Sequence, residues 1–325
     1  MSTILVTGGV GFVGSHFARM ALEAGREVVV LDDRSGGISA TLPASIPIVV
    51  GDIGDKALVR QLCRDHRVSA VAHFAGKIQV GESVVAPELY FDVNLVRTLA
   101  LLAAIRDAGV RVCLFSSTAA VYGNPARVPI SEMSPLQPVN PYGATKLAIE
   151  HALEAWCQAY GLHWCALRYF NAAGAHPDGS MRENHEPETH LIPLVLDAGS
   201  NLRPPLTIYG DDYETPDGTC IRDYIHVQDL ASAHLLALSR LERGETLRAI
   251  NLGTGRGYSV REILDTAREV LGKDVPHSIG PRRAGDPPRL LADASLAASA
   301  LGWAPGRSTL STIVEDALRS RRGPR

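Results

Sequence analysis

Three glycines near the start limit what this chain can fold into more than any other feature. Gly8, Gly11 and Gly14 stand three apart in Thr7-Gly8-Gly9-Val10-Gly11-Phe12-Val13-Gly14. The run Thr3–Thr7 before them reads as a buried strand. Ser15–Ala24 after them reads as a helix with Phe17, Met20, Ala21 and Ala24 on one face, stopped by Gly25. Strand, glycine turn and helix in that order predict a dinucleotide site. Gly8 allows the tight turn, Gly11 lets backbone approach a pyrophosphate at the positive helix end, and Gly14 allows close helix–strand packing. A triphosphate loop would need Gly-Lys-Ser/Thr here, and Ser15 follows Gly14 directly.

The alternation continues. Glu27–Leu31, Ile46–Val50, Ala70–Phe74, Arg111–Phe115 and Trp164–Tyr169 read as strands, and Ala57–Asp65, Leu95–Ala108 and Tyr142–Ala159 as helices. Continuous apolar strands between helices predict an α/β fold with a doubly wound parallel sheet covered on both faces. Residues 171–224 are rich in Pro, Gly, Asp and His with little periodicity. Helical texture returns at Val227–Leu241, Ser259–Leu271 and Ile313–Arg322, and Ala249–Leu252 reads as a strand. The layout predicts a Rossmann-type NAD-binding domain of residues 1–172 plus 225–255. A smaller C-terminal substrate-binding domain takes 173–224 plus 256–325.

Composition narrows the function. The 325 residues carry a net charge of −3 and are 46% hydrophobic, which excludes a disordered chain and argues against nucleic acid as partner. No apolar run approaches the ~18 residues of a membrane span. Cys63, Cys113, Cys157, Cys165 and Cys220 are odd in number and form no CxxC pair. That fits reduced thiols, and with an N-terminus unlike a secretory signal it predicts a cytoplasmic protein.

Asp32 ends the second strand 18 residues after Gly14, where a carboxylate accepts hydrogen bonds from an adenosine ribose. Asp33 follows it, and two carboxylates repel a 2′-phosphate, so NAD is expected over NADP; Arg34 is the counter-argument. Asp52, in Gly51-Asp52-Ile53, is placed to meet the adenine amino group. Tyr142 and Lys146 are four apart on a predicted helix and share a face. The ammonium is expected to lower the phenol's pKa, making Tyr142 a base. The loop Phe115-Ser116-Ser117-Thr118-Ala119-Ala120-Val121-Tyr122-Gly123 follows a strand, so Thr118 lies at the carboxyl edge of the sheet, able to bridge a substrate hydroxyl and Tyr142.

Together the glycine turn, the Ser-Ser-Thr loop and Tyr142-xxx-Lys146 resemble the extended short-chain dehydrogenase/reductases. The similarity narrows to the UDP-galactose 4-epimerase group through His73-Phe74-Ala75-Gly76, Val80–Val84, Leu167-Arg168-Tyr169-Phe170-Asn171, His190–Pro193, Asp217–Val227, Asn251-Leu252-Gly253 and Pro281–Asp286. It runs from residue 3 to residue 315. The resemblance implies an NAD-dependent epimerase acting on a nucleotide sugar. Tyr142, helped by Thr118, would take the 4-hydroxyl proton, hydride would pass to NAD⁺, and the 4-keto sugar would rotate before hydride returns to its other face. Lys146 would tune Tyr142 and hold the nicotinamide ribose. Phe12, Val13, Ile53, Phe74, Ala75, Gly76, Asn94, Ser116 and Tyr169 would join Asp32, Asp33 and Asp52 around the cofactor. Asn171, Leu191, Arg222, Arg283 and Asp286 would anchor the nucleotide diphosphate, with His190, Tyr224 and Leu290 also on the substrate. A homodimer through the helices near 95–108 and 142–159 is the group's habit.

Some positions depart from the group. Asp33 replaces an asparagine, Lys77 stands directly after Gly76 with Ile78 in the usual lysine position, Val93 precedes Asn94, and Arg97 replaces a glycine on the helix implicated in dimerisation. Leu290 stands in a region flanking the sugar where a tyrosine restricts relatives to glucose and galactose, so N-acetylhexosamines are also expected to fit. A 4,6-dehydratase is the rival, but it needs Asp-Glu after the loop threonine, where Ala119 and Ala120 stand. A non-catalytic NAD-binding relative would tend to lack Tyr142 or Lys146. The run His185-Glu186-Pro187-Glu188-Thr189-His190 looks like a zinc site, but its histidines are five apart with a proline between them, unlike helical zinc spacing, so no metal is expected.

Overall fold

A computed structural model of the chain describes residues 3–36, 42–185, 187–283 and 285–322. The glycine turn lies between β1 (Thr3–Thr7) and α1 (Phe12–Glu23). Helix α1 starts three residues before the predicted Ser15, because extended Gly11 already serves as its N-cap. Low helix propensity hides a helix that opens on glycines.

The chain continues through β2 (Glu27–Asp32), β3 (Ile48–Val50), α2 (Lys56–Asp65), β4 (Val68–His73), α3 (Val80–Val85), α4 (Pro87–Tyr90) and α5 (Arg97–Asp107). Then come β5 (Val112–Thr118), α6 (Pro141–Tyr160), β6 (His163–Tyr169), β7 (Asn171–Ala173), α7 (Leu191–Gly199), β8 (Leu206–Tyr209), β9 (Ile221–His226), α8 (Val227–Leu241) and β10 (Arg248–Leu252). The chain closes with β11 (Gly257–Ser259), α9 (Val260–Leu271), β12 (His277–Gly280), β13 (Arg289–Leu290), α10 (Ser295–Leu301) and α11 (Leu310–Arg322).

Seven strands form one parallel sheet in the order β10-β6-β5-β4-β1-β2-β3. Strand order reverses between β1 and β4, and the carboxyl ends there open a crevice for a ligand. Alternate residues serve opposite faces. Ile4, Val6, Val30, Leu114 and Leu167 pack with Phe17 of α1 and Leu230 and Leu238 of α8. Leu5, Val29, Leu31, Val71 and Phe115 pack with Val59, Leu102, Ile105 and Leu153 of α2, α5 and α6.

Two regions differ from expectation. The predicted helix 95–108 begins instead as a wide π turn, Phe91–Val96, that runs into α5. Residues 171–224, read as irregular, contain β7, α7, β8 and β9. Two of these strands are only three or four residues long, too short for a periodic signal. They form small sheets in which β9 meets β7, β11 and β13, and β8 meets β12. Ser259 and Glu262 form a capping box that starts α9. Ile192, Leu196, Ile208, Ile263, Ile313 and Val314 make a separate apolar core there. Among the described residues no helix is long and apolar enough to cross a membrane.

Candidate active site

The glycine turn is shaped by close approach. Gly8 has φ 69°, and a Cβ on it would lie 2.5 Å from the Ala75 amide nitrogen. A Cβ on Gly14 would lie 2.3 Å from the Gly8 carbonyl oxygen. Gly11 places no side chain over the start of α1, so the first-turn amides at Phe12 and Val13 can face an external anion. The buried Asp32 carboxylate accepts from the Val10 amide at 3.0 Å and the Arg34 amide at 2.7 Å. Burial raises its pKa and these two bonds oppose the rise. Asp33 is exposed and accepts from the amide and hydroxyl of Ser35.

Asp52 accepts from the Gly54 amide at 2.7 Å and pairs with Arg97, which also holds Asp92 at 2.7 Å. Arg97 therefore bridges two carboxylates beside the end of β3. Ile53 is buried beside Asp52. Phe74 packs on Phe17 with ring centres 5.3 Å apart. Gly76, at φ 148°, would drive a Cβ to 2.9 Å from Asn94 Oδ1. Asn94 reaches it from the π turn, accepting from the Lys77 amide at 2.8 Å and donating to the Lys77 carbonyl at 3.0 Å and Thr145 Oγ1 at 3.3 Å. Lys77 pairs with Glu82 at 3.2 Å, so the displaced lysine has a partner of its own. A cradle without side chains, a helix start behind it and a buried carboxylate 18 residues on fit a dinucleotide.

Helix α6 opens on Asn140, whose side chain accepts from the Gly143 amide at 2.8 Å, with Pro141 in the first turn. This start places Tyr142 and Lys146 inward. Both are buried, and Thr118, half-buried at the end of β5, neighbours the Tyr142 phenol and favours its ionised form. Thr118 Oγ1 also accepts from the Ala120 amide at 3.1 Å. Lys146 Nζ donates to the Ser116 carbonyl at 3.0 Å and lies 5.9 Å from the centre of the Tyr142 ring. Ser116 Oγ bonds the hydroxyl of half-buried Tyr169, whose pKa desolvation pushes up.

One expectation is corrected here. In this site burial pushes the Tyr142 phenol up to about 12, with neighbouring Thr118 opposing. Burial also takes Lys146 down to about 8, with Glu150 opposing. The ammonium bonds a backbone carbonyl rather than the phenol, and loss of water outweighs its more distant charge.

The expected substrate residues gather mainly on the small sheet around β9. Asn171 opens β7 opposite buried Tyr224. Arg222 donates to the Ile221 and Pro287 carbonyls, both at 2.9 Å, and pairs with Asp286 at 3.1 Å. The Arg283 guanidinium lies 4.1 Å over the Tyr209 ring. Leu191 is half-buried at the start of α7. His190 Nδ1 lies 2.9 Å from both Glu183 and Glu188. Leu290 runs beside Arg222 on β13 and packs against the cluster of Val121, Tyr122 and Ile130, which joins this group to the Thr118 loop.

Sequence reasoning missed the buried network behind α6. Glu150 accepts from Arg168 Nε at 3.0 Å, from Arg168 Nη2 at 2.5 Å and from Ser117 Oγ at 2.5 Å. Arg168 also donates to the Tyr122 hydroxyl at 2.9 Å, which donates to Asn251 Oδ1 at 2.7 Å. Two signals were available: an arginine inside an apolar strand, and a glutamate continuing the 142–146 spacing by four. Asp223 was missed too. It accepts from the Thr254, Gly255 and Ala292 amides at 2.9, 2.9 and 3.1 Å, tying β9 to neighbouring loops.

Known proteins resemble this chain along nearly its whole length. The chain is 50% identical to a UDP-glucose 4-epimerase of Azospirillum brasilense, over 97% of this chain and 90% of that protein. It is 51% identical to a UDP-glucose 4-epimerase of Streptomyces lividans, over 96% and 94%. The crystal structure of UDP-glucose 4-epimerase from Brucella ovis in complex with NAD superposes with a TM-score of 0.95, at 47% identity over 98% of both chains. Residues 4–253 match the NAD dependent epimerase/dehydratase family. Matched over more than half its length by this family and about 50% identical to its members over nearly the whole chain, the protein belongs to that family.

Proposed function

We propose that this protein is an NAD-dependent UDP-glucose 4-epimerase, an isomerase that inverts C4 of a nucleotide-bound hexose. The observation that carries the reading is Tyr142, buried with Lys146 on one helix face beside Thr118 at the carboxyl edge of the sheet. NAD, when bound, would supply reversible hydride acceptance at C4. Tyr142 takes the proton from the 4-hydroxyl as the 4-keto sugar forms, and gives it back at the end. Thr118 shares that hydrogen bond and fixes the hydroxyl. Burial favours the neutral phenol, so positive charge must come close before Tyr142 acts as a base; Lys146 supplies part of it.

Asn171, Leu191, Arg222, Arg283 and Asp286 anchor the nucleotide diphosphate while the sugar turns. The forked donors of the arginines suit phosphate oxygens. Ala119 and Ala120 cannot exchange protons, which disfavours a dehydratase. Leu290 leaves more room than a tyrosine, which supports N-acetylhexosamines as further substrates. Strand β10 beside β6 supports assigning 225–255 to the cofactor-binding domain. Exposed Phe91, Val96 and Tyr160 near α5 and α6 support a homodimer through those helices. Five free thiols support a cytoplasmic setting.

The test is a product assay on purified protein without added cofactor. UDP-galactose and UDP-N-acetylgalactosamine are offered separately, and products are separated by chromatography with mass detection. A 4-epimer of unchanged mass is expected. A product lighter by water refutes the reading in favour of a dehydratase.

A further inference from the structure

The segment before α7 brings four metal-ligating side chains together. Glu183, His185, Glu188 and His190 present ligand atoms that all lie within 4.8 Å of one another. His190 Nδ1 is 2.9 Å from Glu183 and 2.9 Å from Glu188. His185 Nδ1 is 3.4 Å from Glu183 and 3.8 Å from Glu188. Four ligands at ordinary zinc bond lengths around a tetrahedral ion stand about 3.3 Å apart, and the four separations bracket that value. The helical spacing rule that argued against a metal does not apply, because none of the described residues from 182 to 190 is helical.

The polar accounting points the same way. The Glu183 side chain is only 4% exposed and faces both imidazoles. His185 Nδ1 is buried without a hydrogen-bond partner, although two carboxylates stand close. His190 Nδ1 can carry a single proton, yet it lies equally close to two carboxylates. Glu188 is further held by the Thr189 and His190 amides at 2.8 and 2.9 Å, the outer bonding that orients a ligating carboxylate. Two carboxylates and two neutral imidazoles match the charge of one divalent ion.

We propose that Glu183, His185, Glu188 and His190 bind one divalent transition-metal ion, with zinc the best match to a mixed nitrogen and oxygen set. Binding takes the imidazoles neutral and the carboxylates ionised, and releases any proton held between them. The ion is structural. The His185 ring stands edge-on to Phe12 at the start of α1, 6.4 Å between centres, and His190 immediately precedes α7, where Leu191 begins the expected substrate contacts. A metal here pins the substrate segment to the cofactor loop.

The test uses the full-length protein carrying its cofactor. It is stripped with EDTA, desalted, and titrated with zinc sulfate, with magnesium chloride as control. The expected result is one zinc per chain retained through desalting, a melting temperature that rises with zinc and not with magnesium, and the intense visible bands of tetrahedral cobalt when Co²⁺ replaces it. His185→Gln and Glu188→Gln should each keep bound NAD, read from its absorbance, and lose the retained zinc. Absence of retained zinc and of a tetrahedral cobalt spectrum in the wild type overturns the proposal. So does equal zinc retention in both variants. If a variant loses NAD as well, the wild-type cobalt spectrum alone decides.

Discussion

Replacing Glu150 with glutamine tests the buried network and its reach into the active site together. Glu150 and Arg168 form a two-point ion pair with side chains 4% and 5% exposed. Removing one partner of a buried pair leaves the other charge uncompensated and costs roughly 3–5 kcal/mol. Glutamine keeps one acceptor oxygen for Arg168, so the low end, ~3 kcal/mol, is expected. The second effect is electrostatic. Glu150 supports the charged form of Lys146, whose pKa burial has already taken down to about 8. Without that carboxylate the ammonium is less favoured, and its pKa falls further. An ammonium lost at lower pH stops assisting Tyr142 at lower pH, so the alkaline limb of the pH–rate profile moves down. The assays are urea unfolding followed by tryptophan fluorescence, and epimerisation rate from roughly pH 6 to 10. A double variant, Glu150→Gln with Arg168→Met, removes both charges and should recover stability to within about 1 kcal/mol of wild type, while the shifted limb remains. Wild-type unfolding in the single variant with an unmoved alkaline limb would refute the reasoning.

Tyr142→Phe should retain NAD and lose turnover by at least ~10²-fold, measured by product formation against bound-cofactor absorbance; full activity would end its role as the base. Gly14→Ala should purify with little NAD, because its Cβ would press to 2.3 Å on the Gly8 carbonyl; wild-type NAD content would show that the turn relaxes. Leu290→Tyr should lower turnover of UDP-N-acetylgalactosamine more than ~10-fold while sparing UDP-galactose, since it fills space beside the Thr118 loop. Equal loss on both sugars would remove Leu290 from the specificity argument.

The readable part of this protein is local. The glycine turn, the apolar strands and the shared face of Tyr142 and Lys146 depend on spacings of two to four residues, and those periods appear in any single stretch of chain. They sufficed for the parallel sheet, the turn between β1 and α1, and the placing of Tyr142 and Lys146 on one face of α6. What only the tertiary structure decided depends on contacts between distant segments. Arg97 meets Asp52 across 45 residues, and Tyr122 meets Asn251 across 129. Neither pairing has a periodic trace. Desolvation is likewise a property of the assembled core. That is why Tyr142 sits at about 12 although the lysine four residues on predicts the opposite, and why Lys146 turns to the Ser116 carbonyl. The histidines at 185 and 190 show the same division. Read against helical spacing they seem unrelated, and only the path of the loop brings them together with Glu183 and Glu188.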